Sequence, residues 1–266
     1  MPDFTLMGIV NVTPDSFSDG GRFFDPADAV AHGLALEAEG AEILDVGGES
    51  TRPGADAVEA DEESRRVVPV IEALVLAGVR ARISVDTSKA EVTERALVAG
   101  ATLVNDVTAL RAAPQMAELT AAAGADLCLM HMVGTPRTMQ ENPRYEDVVS
   151  EVKRFLEERM AFAVAHGVAE ERIILDPGIG FGKTVAHNLE LLRRLPELTE
   201  LGRPLLVGTS RKSFIGTLTG AAADERVAGT IATNVIAYER GARIFRVHDV
   251  RPNADALTVT AATLHG

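Results

Sequence analysis

Eight short aliphatic runs recur along the chain, and most of them end on a polar residue. They are Phe4 to Val12, which carries Asn11; Ile43 to Val46, which carries Asp45; Ile83 to Asp86; and Leu103 to Asn105. Leu127 to His131, Ile173 to Asp176, Leu205 to Val207 and Ile244 to His248 follow. Short runs of this kind, bounded by turn residues, read as buried strands. Between them the apolar residues change to helical spacing, as in Val67, Val70, Ile71 and Leu74. Val148, Val149, Val152, Phe155, Leu156 and Met160 repeat the pattern on one helical face. Asp25-Pro26 supplies an N-cap with proline at the first helical position, and Gly40 a stop for that helix. Ser88 and Glu91 have capping-box spacing. A last helix ends near Leu264.

Strands that alternate with helices predict a parallel sheet. Eight such units, with no long linker or low-complexity segment, predict a single-domain (β/α)₈ TIM barrel over residues 1–266. The alternative is a doubly wound open sheet. In a barrel, Asn11, Asp45, Asp86, Asn105, His131, Asp176, Arg246 and His248 converge at the mouth formed by the strands' C-terminal ends.

The stretch Ile173-Ile174-Leu175-Asp176-Pro177-Gly178-Ile179-Gly180-Phe181-Gly182-Lys183 puts an acid where a buried strand meets a flexible loop. Residues 177–184 nearly spell a nucleoside-triphosphate loop, since Gly182, Lys183 and Thr184 fit it. Pro177 stands where the first glycine belongs, and proline has a fixed φ and no N–H for a phosphate. That argues against nucleoside triphosphates.

Composition narrows the class. The chain has 266 residues and 46% hydrophobic residues, enough for one large core. No apolar run reaches the roughly 18 residues of a membrane span. Met1-Pro2-Asp3 lacks the basic, then apolar, pattern of a secretory signal, and the single cysteine, Cys128, excludes an internal disulfide framework. A cytoplasmic protein is the expectation. The net charge of −13 argues against a nucleic-acid partner, whose phosphates want basic surfaces. The six histidines include no H-E-x-x-H pattern, so zinc has little support.

The mouth residues suggest two kinds of contact. Asp86, Asn105 and Asp176 offer acceptors and donors to a planar heterocycle, and an acid pairs two-pronged with a guanidine-like edge. Singly, each acid could equally cap its following loop. Lys212, Arg246 and His248 cluster at the last two strands, a common phosphate corner of this fold. Arg246 and His248, two apart, point to one face and suggest an anion, unless they pair with Asp249 or Asp224. Asn11 reads either as a neutral oxygen ligand for Mg²⁺ or as a hydrogen-bonded core amide. Met130 reads as core or as an apolar plate against a flat ring, and Cys128 as inert core. Ser213 reads as a carboxylate site or a plain helix cap. Two polar loops, 13–21 and 47–54, sit at the predicted active end and suit closure over a substrate.

At this point a resemblance is plain. Asn11-Val12-Thr13-Pro14-Asp15-Ser16-Phe17-Ser18-Asp19-Gly20-Gly21 resembles the first signature of the dihydropteroate synthases, and Gly48-Glu49-Ser50-Thr51-Arg52-Pro53-Gly54 their second loop. Asp176 to Lys183, Ser210-Arg211-Lys212-Ser213-Phe214 and Arg246-Val247-His248-Asp249-Val250 match the later motifs in order, with no departure at a site position. The resemblance implies a (β/α)₈ barrel. It also implies a transferase that condenses (7,8-dihydropterin-6-yl)methyl diphosphate with 4-aminobenzoate, giving 7,8-dihydropteroate and pyrophosphate in folate synthesis.

By that resemblance, Asp86, Asn105, Asp176 and Lys212 hold the pterin's polar edges, and Met130 and Arg246 lie against its ring. Asn11, Arg246 and His248 form the pyrophosphate pocket, with Mg²⁺ at Asn11. Thr51, Pro53, Phe181, Lys212 and Ser213 surround 4-aminobenzoate. Phe17 and Asp19 belong to a catalytic loop that closes the site. A homodimer paired through late helices is also implied. Two alternatives are a pterin-dependent methyltransferase acting on a corrinoid protein and a non-catalytic pterin-binding paralogue. Thr51-Arg52-Pro53 and Lys212-Ser213 count against the first, and intact Asn11, Asp19 and His248 against the second.

Overall fold

The computed structural model of the protein describes residues 3–13, 26–51, 54–135 and 137–265. Eight strands form one sheet: β1 (Thr5–Asn11), β2 (Ile43–Gly47), β3 (Arg82–Asp86), β4 (Leu103–Asp106), β5 (Asp126–Met130), β6 (Ile173–Asp176), β7 (Leu206–Val207) and β8 (Ile244–Val247). Their spatial order is β6-β5-β4-β3-β2-β1-β8-β7, and every pairing is parallel. The ends of this row meet: Leu175 bridges Leu205 in parallel, and the Leu175 N–H donates to the Pro204 carbonyl at 3.0 Å. The expected barrel is therefore the fold, and the open sheet is not.

Helices pack around it: α1 (Pro26–Ala38), α2 (Ala60–Leu76), α3 (Ala90–Ala99), α4 (Met116–Ala123), α5 (Val148–Ala165), α6 (Val185–Arg193), α7 (Pro196–Thr199), α8 (Ser213–Thr219), α9 (Val227–Glu239) and α10 (Val250–His265). Their apolar faces bury against the outer faces of the strands in one continuous core, which includes Val67, Val70, Ile71, Leu74, Val149, Val152 and Leu156. Among the described residues no helix is long and apolar enough to cross a membrane.

One local expectation needs correction. The helix α3 starts at Ala90 with Lys89 as its N-cap, extended at φ −117° and ψ 131°, so Ser88 stands one residue too early and no side chain caps it. The helix α4 has no clear apolar stripe in Met116-Ala117-Glu118-Leu119-Thr120-Ala121-Ala122-Ala123, because small alanines blur the periodicity.

The barrel interior explains where the chemistry sits. Strand alternation sends every second side chain inward. One inward layer, Met7, Ile43, Leu103, Cys128, Ile174, Leu206 and Ile244, forms a separate apolar plug. Two residues further along the strands stand Asp45, Asn105, Met130, Asp176 and Arg246. The interior therefore changes from apolar to polar within two residues, at the C-terminal ends.

Candidate active site

Register aligns the upper layer. Asn11 pairs with Gly47, Gly47 with Asp86, and Asp86 with Asn105 across four neighbouring strands. Met130 pairs with Asp176 on the far side. Gly47 leaves this level open in front of Asp86, since a Cβ there would meet Asp86 Cβ at 3.3 Å.

Asp45, wholly buried, is the hub of the polar layer. Its Oδ1 accepts from Ser84 Oγ at 2.6 Å, and its Oδ2 from Asn105 Nδ2 at 3.1 Å and Arg246 Nε at 2.6 Å. Arg246 Nη2 donates to Asp86 Oδ2 at 2.7 Å. The guanidinium thus lies between two acids and holds Asp86 and Asn105 to one cluster. Burial opposes its charge, but Asp45 and Asp86 outweigh burial and raise its pKa. Burial pushes the Asp86 carboxyl up to about 7, against the pull of Arg246 and helped by Asp45.

Asp176 ends β6, and the loop turns at once. Gly178 has φ 67°, and its N–H donates to Asp176 Oδ1 at 2.6 Å. A Cβ at Gly178 would overlap the His131 carbonyl oxygen, so only glycine fits there. The single-acid expectation, a cap on the following loop, is thus true of one Asp176 oxygen. Burial raises this carboxyl too, and Lys212 opposes the rise. Lys212 comes from the loop after β7. Its ammonium donates to the Ile179 carbonyl and lies 4.3 Å above the Phe181 ring. Burial lowers the Lys212 pKa to about 7, against Asp176 and with the help of Arg246. Phe181 packs on Met130, Val107, Met132 and Met139, so Met130 and Phe181 share an apolar wall beside the polar cluster.

His248 stands one residue beyond β8. Ser210 Oγ accepts the His248 backbone N–H at 3.1 Å and shares a 2.9 Å hydrogen bond with its Nδ1. Arg211 forms a two-pronged pair with Asp249 at 2.6 and 2.9 Å, which makes it a structural cation and not a ligand group. The side chains of Asn11, Thr51 and Ser213 make no hydrogen bond among the described residues. Thr51 is half-buried, and Ser213 is exposed at the first position of α8, where Lys212 and not Ser213 is the N-cap. Phe17, Asp19 and Pro53 lie outside the described residues.

His131 does not join the mouth. It follows inward-facing Met130, so alternation turns it outward, 4.8 Å from the Phe155 ring on α5. There its Nδ1 meets the buried Lys183 Nζ at 2.9 Å, and Lys183 also donates to the Phe181 carbonyl at 2.9 Å. Burial, then Lys183, pushes the His131 pKa down to about 2, and burial pushes the Lys183 ammonium well down. Lys183 faces away from the mouth and Thr184 caps α6 by accepting the His187 N–H at 3.2 Å, so neither serves a phosphate loop. Cys128 lies in the apolar plug, where burial raises its thiol well above the usual range, as inert core requires. Sequence reasoning gave no role to Ser84 and Ser210. The signal for Ser84 was present, since it is two residues before Asp86 on the same strand face.

Comparison with known proteins places the chain in a family. The family described as pterin binding enzyme matches residues 7–248. The dihydropteroate synthase of Escherichia coli (strain K12) is 50% identical over 259 residues, covering 97% of this chain and 91% of its own. The solved structure of Xanthomonas albilineans dihydropteroate synthase with 4-aminobenzoic acid superposes with a TM-score of 0.92 at 52% identity, covering 98% of this chain and 93% of that one. The same enzyme in complex with 7,8-dihydropteroate gives a TM-score of 0.89 at 49% identity, over 98% of this chain and 94% of that one. The chain therefore belongs to the pterin binding enzymes and stands within them among the dihydropteroate synthases.

Proposed function

We propose that this protein condenses (7,8-dihydropterin-6-yl)methyl diphosphate with 4-aminobenzoate, giving 7,8-dihydropteroate and pyrophosphate. The observation that carries the reading is the single polar layer of Asp45, Asp86, Asn105, Asp176 and Arg246 above an apolar plug. Asp86, Asn105 and Asp176 offer the hydrogen-bonding groups that a flat heterocycle with a guanidine-like edge requires. Lys212 suits the ring's carbonyl oxygen, and Met130 and the Arg246 guanidinium suit its faces.

Departure of the diphosphate builds negative charge at the leaving group, which Arg246 and His248 would offset. It leaves positive charge on the pterin methylene, shared with the ring. An Asp176 carboxylate at the ring's guanidine-like edge favours that charge, which makes the displacement SN1-like. The arylamine is neutral near pH 7 and needs placing more than activating; Thr51, Pro53, Phe181, Lys212 and Ser213 are the groups for it. Water would trap the cation, which gives the early loops with Phe17, Asp19 and Thr51 their purpose.

Mg²⁺ suits the diphosphate end. Among the described residues no group of three His, Cys, Asp or Glu could hold a metal alone, while Asn11 offers one neutral oxygen. That donor set fits an ion that keeps most of its ligands from phosphate and water. When bound, Mg²⁺ neutralises charge on the departing diphosphate. Two copies would pair through the late helices, where Leu189, Leu218 and Ile236 are exposed on α6, α8 and α9. A cytoplasmic setting suits the one buried thiol, Cys128.

The test is incubation with both substrates and Mg²⁺. Pyrophosphate and dihydropteroate should appear in equal amounts. Pyrophosphate without dihydropteroate would mark a hydrolase. Methyl transfer to a corrinoid protein, or pterin binding with no turnover, would each replace the reading.

A further inference from the structure

The loop after β2 is fastened from behind by charged groups that the proposed reaction does not use. Gly48 lies directly on α2: a Cβ there would meet Val67 Cγ1 at 2.9 Å and Glu63 Cγ at 3.1 Å. Arg66 Nη1 donates to the Gly48 carbonyl at 2.9 Å. The next residue, Glu49, accepts the Val58 N–H on Oε1 at 2.9 Å and Lys89 Nζ on Oε2 at 2.6 Å. The same Lys89 Nζ donates to Glu63 Oε2. One cation thus ties the β2 loop to α2 and to the segment three residues past Asp86.

Glu63 is 0% exposed, and its other oxygen has no hydrogen-bond partner among the described residues. It lies in phase with the buried α2 residues Val67, Val70, Ile71 and Leu74, where an apolar side chain would pack well. A buried ion pair with an unpartnered oxygen is no better for stability than a hydrophobic side chain of similar size. Packing alone does not account for this acid. Its evident effect is to hold Lys89 inward, and Lys89 in turn holds Glu49, two residues before Thr51.

We propose that Glu63, Lys89 and Glu49 form a clamp that positions Thr51 for 4-aminobenzoate. They are positioning residues. The inference rests on the reading that Thr51 meets 4-aminobenzoate.

The test is steady-state kinetics of Lys89→Met, Lys89→Arg and Glu49→Gln, with pterin affinity measured by calorimetry. In Lys89→Met and Glu49→Gln the KM for 4-aminobenzoate should rise by roughly tenfold, with kcat and pterin affinity within about threefold of the parent, the pattern of lost binding for one substrate. Lys89→Arg should recover most of the loss. An unchanged KM overturns the clamp. So does a parallel loss of pterin affinity, or Lys89→Arg as impaired as Lys89→Met. Glu49→Gln decides the matter if Lys89→Met does not fold. A parent protein that makes no dihydropteroate sinks the functional reading itself; normal parent turnover with unaffected variants sinks only the clamp.

Discussion

Arg246→Ala should destabilise the protein by roughly 3–5 kcal/mol and lower turnover by about two orders of magnitude. Arg246 bridges Asp45, which is wholly buried, and Asp86. Without the guanidinium, two neighbouring carboxylates stay in the barrel with no cation between them. Asp45 keeps Ser84 and Asn105 as donors, but neither carries charge. The deficit should depend on pH. Burial already lifts Asp86 to about 7, and losing Arg246 removes the main group that opposes the rise. A carboxyl whose folded pKa lies above its unfolded value stabilises fully only below the unfolded value, and the stability is lost as pH rises towards the folded one. The variant should therefore lose more at pH 8 than at pH 5. Urea denaturation at both values measures it. A deficit below about 1 kcal/mol, equal at the two pH values, would show that the acids do not depend on Arg246.

Lys212→Ala should lower turnover by roughly two orders of magnitude, the equivalent of one charge-assisted contact of about 2–3 kcal/mol, while leaving the fold intact. Among the described residues Lys212 hydrogen-bonds to one carbonyl and lies over the Phe181 ring, and burial, opposed by Asp176, holds its pKa down at about 7. In the free protein it is therefore largely neutral above pH 8. A pterin oxygen that accepts from its ammonium would raise the pKa and draw in a proton. Calorimetry of pterin binding at pH 8.5, in two buffers of different ionisation heat, should show proton uptake by the parent and less by Lys212→Met. Equal uptake, or unchanged kinetics of Lys212→Ala, would remove Lys212 from the site.

The barrel was readable because eight strand–helix alternations allow few topologies, and because parallel strands buried on both faces read as plain aliphatic runs. Asp86 and Asp176 stand out in the sequence as carboxylates that close buried strands, but the strand end alone does not separate a site group from a loop cap, and one Asp176 oxygen is such a cap. Which neighbour each side chain takes was not. The Arg246 partners, Asp45 and Asp86, lie 201 and 160 residues away, and only barrel closure brings them together. His131 shows a limit of reading strand ends alone. Of Met130 and His131 only one can face the interior, and alternation measured from Cys128 in the plug selects Met130. Lys183 was marked by its near fit to a phosphate loop, yet its buried bond to His131 depends on how α5 packs. The burial of Glu63 was legible in principle, since its spacing from Val67 and Val70 puts an acid on the apolar stripe of α2.

The proposed chemistry requires Asp86, Asn105, Asp176, Lys212 and Arg246 to form one bowl for one flat ring. A crystal structure with a pterin bound tests this most directly. It should show the ring over the apolar plug, its guanidine-like edge on the Asp176 carboxylate and its other polar atoms on Asp86, Asn105 and Lys212. A pterin seated elsewhere, or one in the mouth that leaves Asp176 untouched, would contradict it.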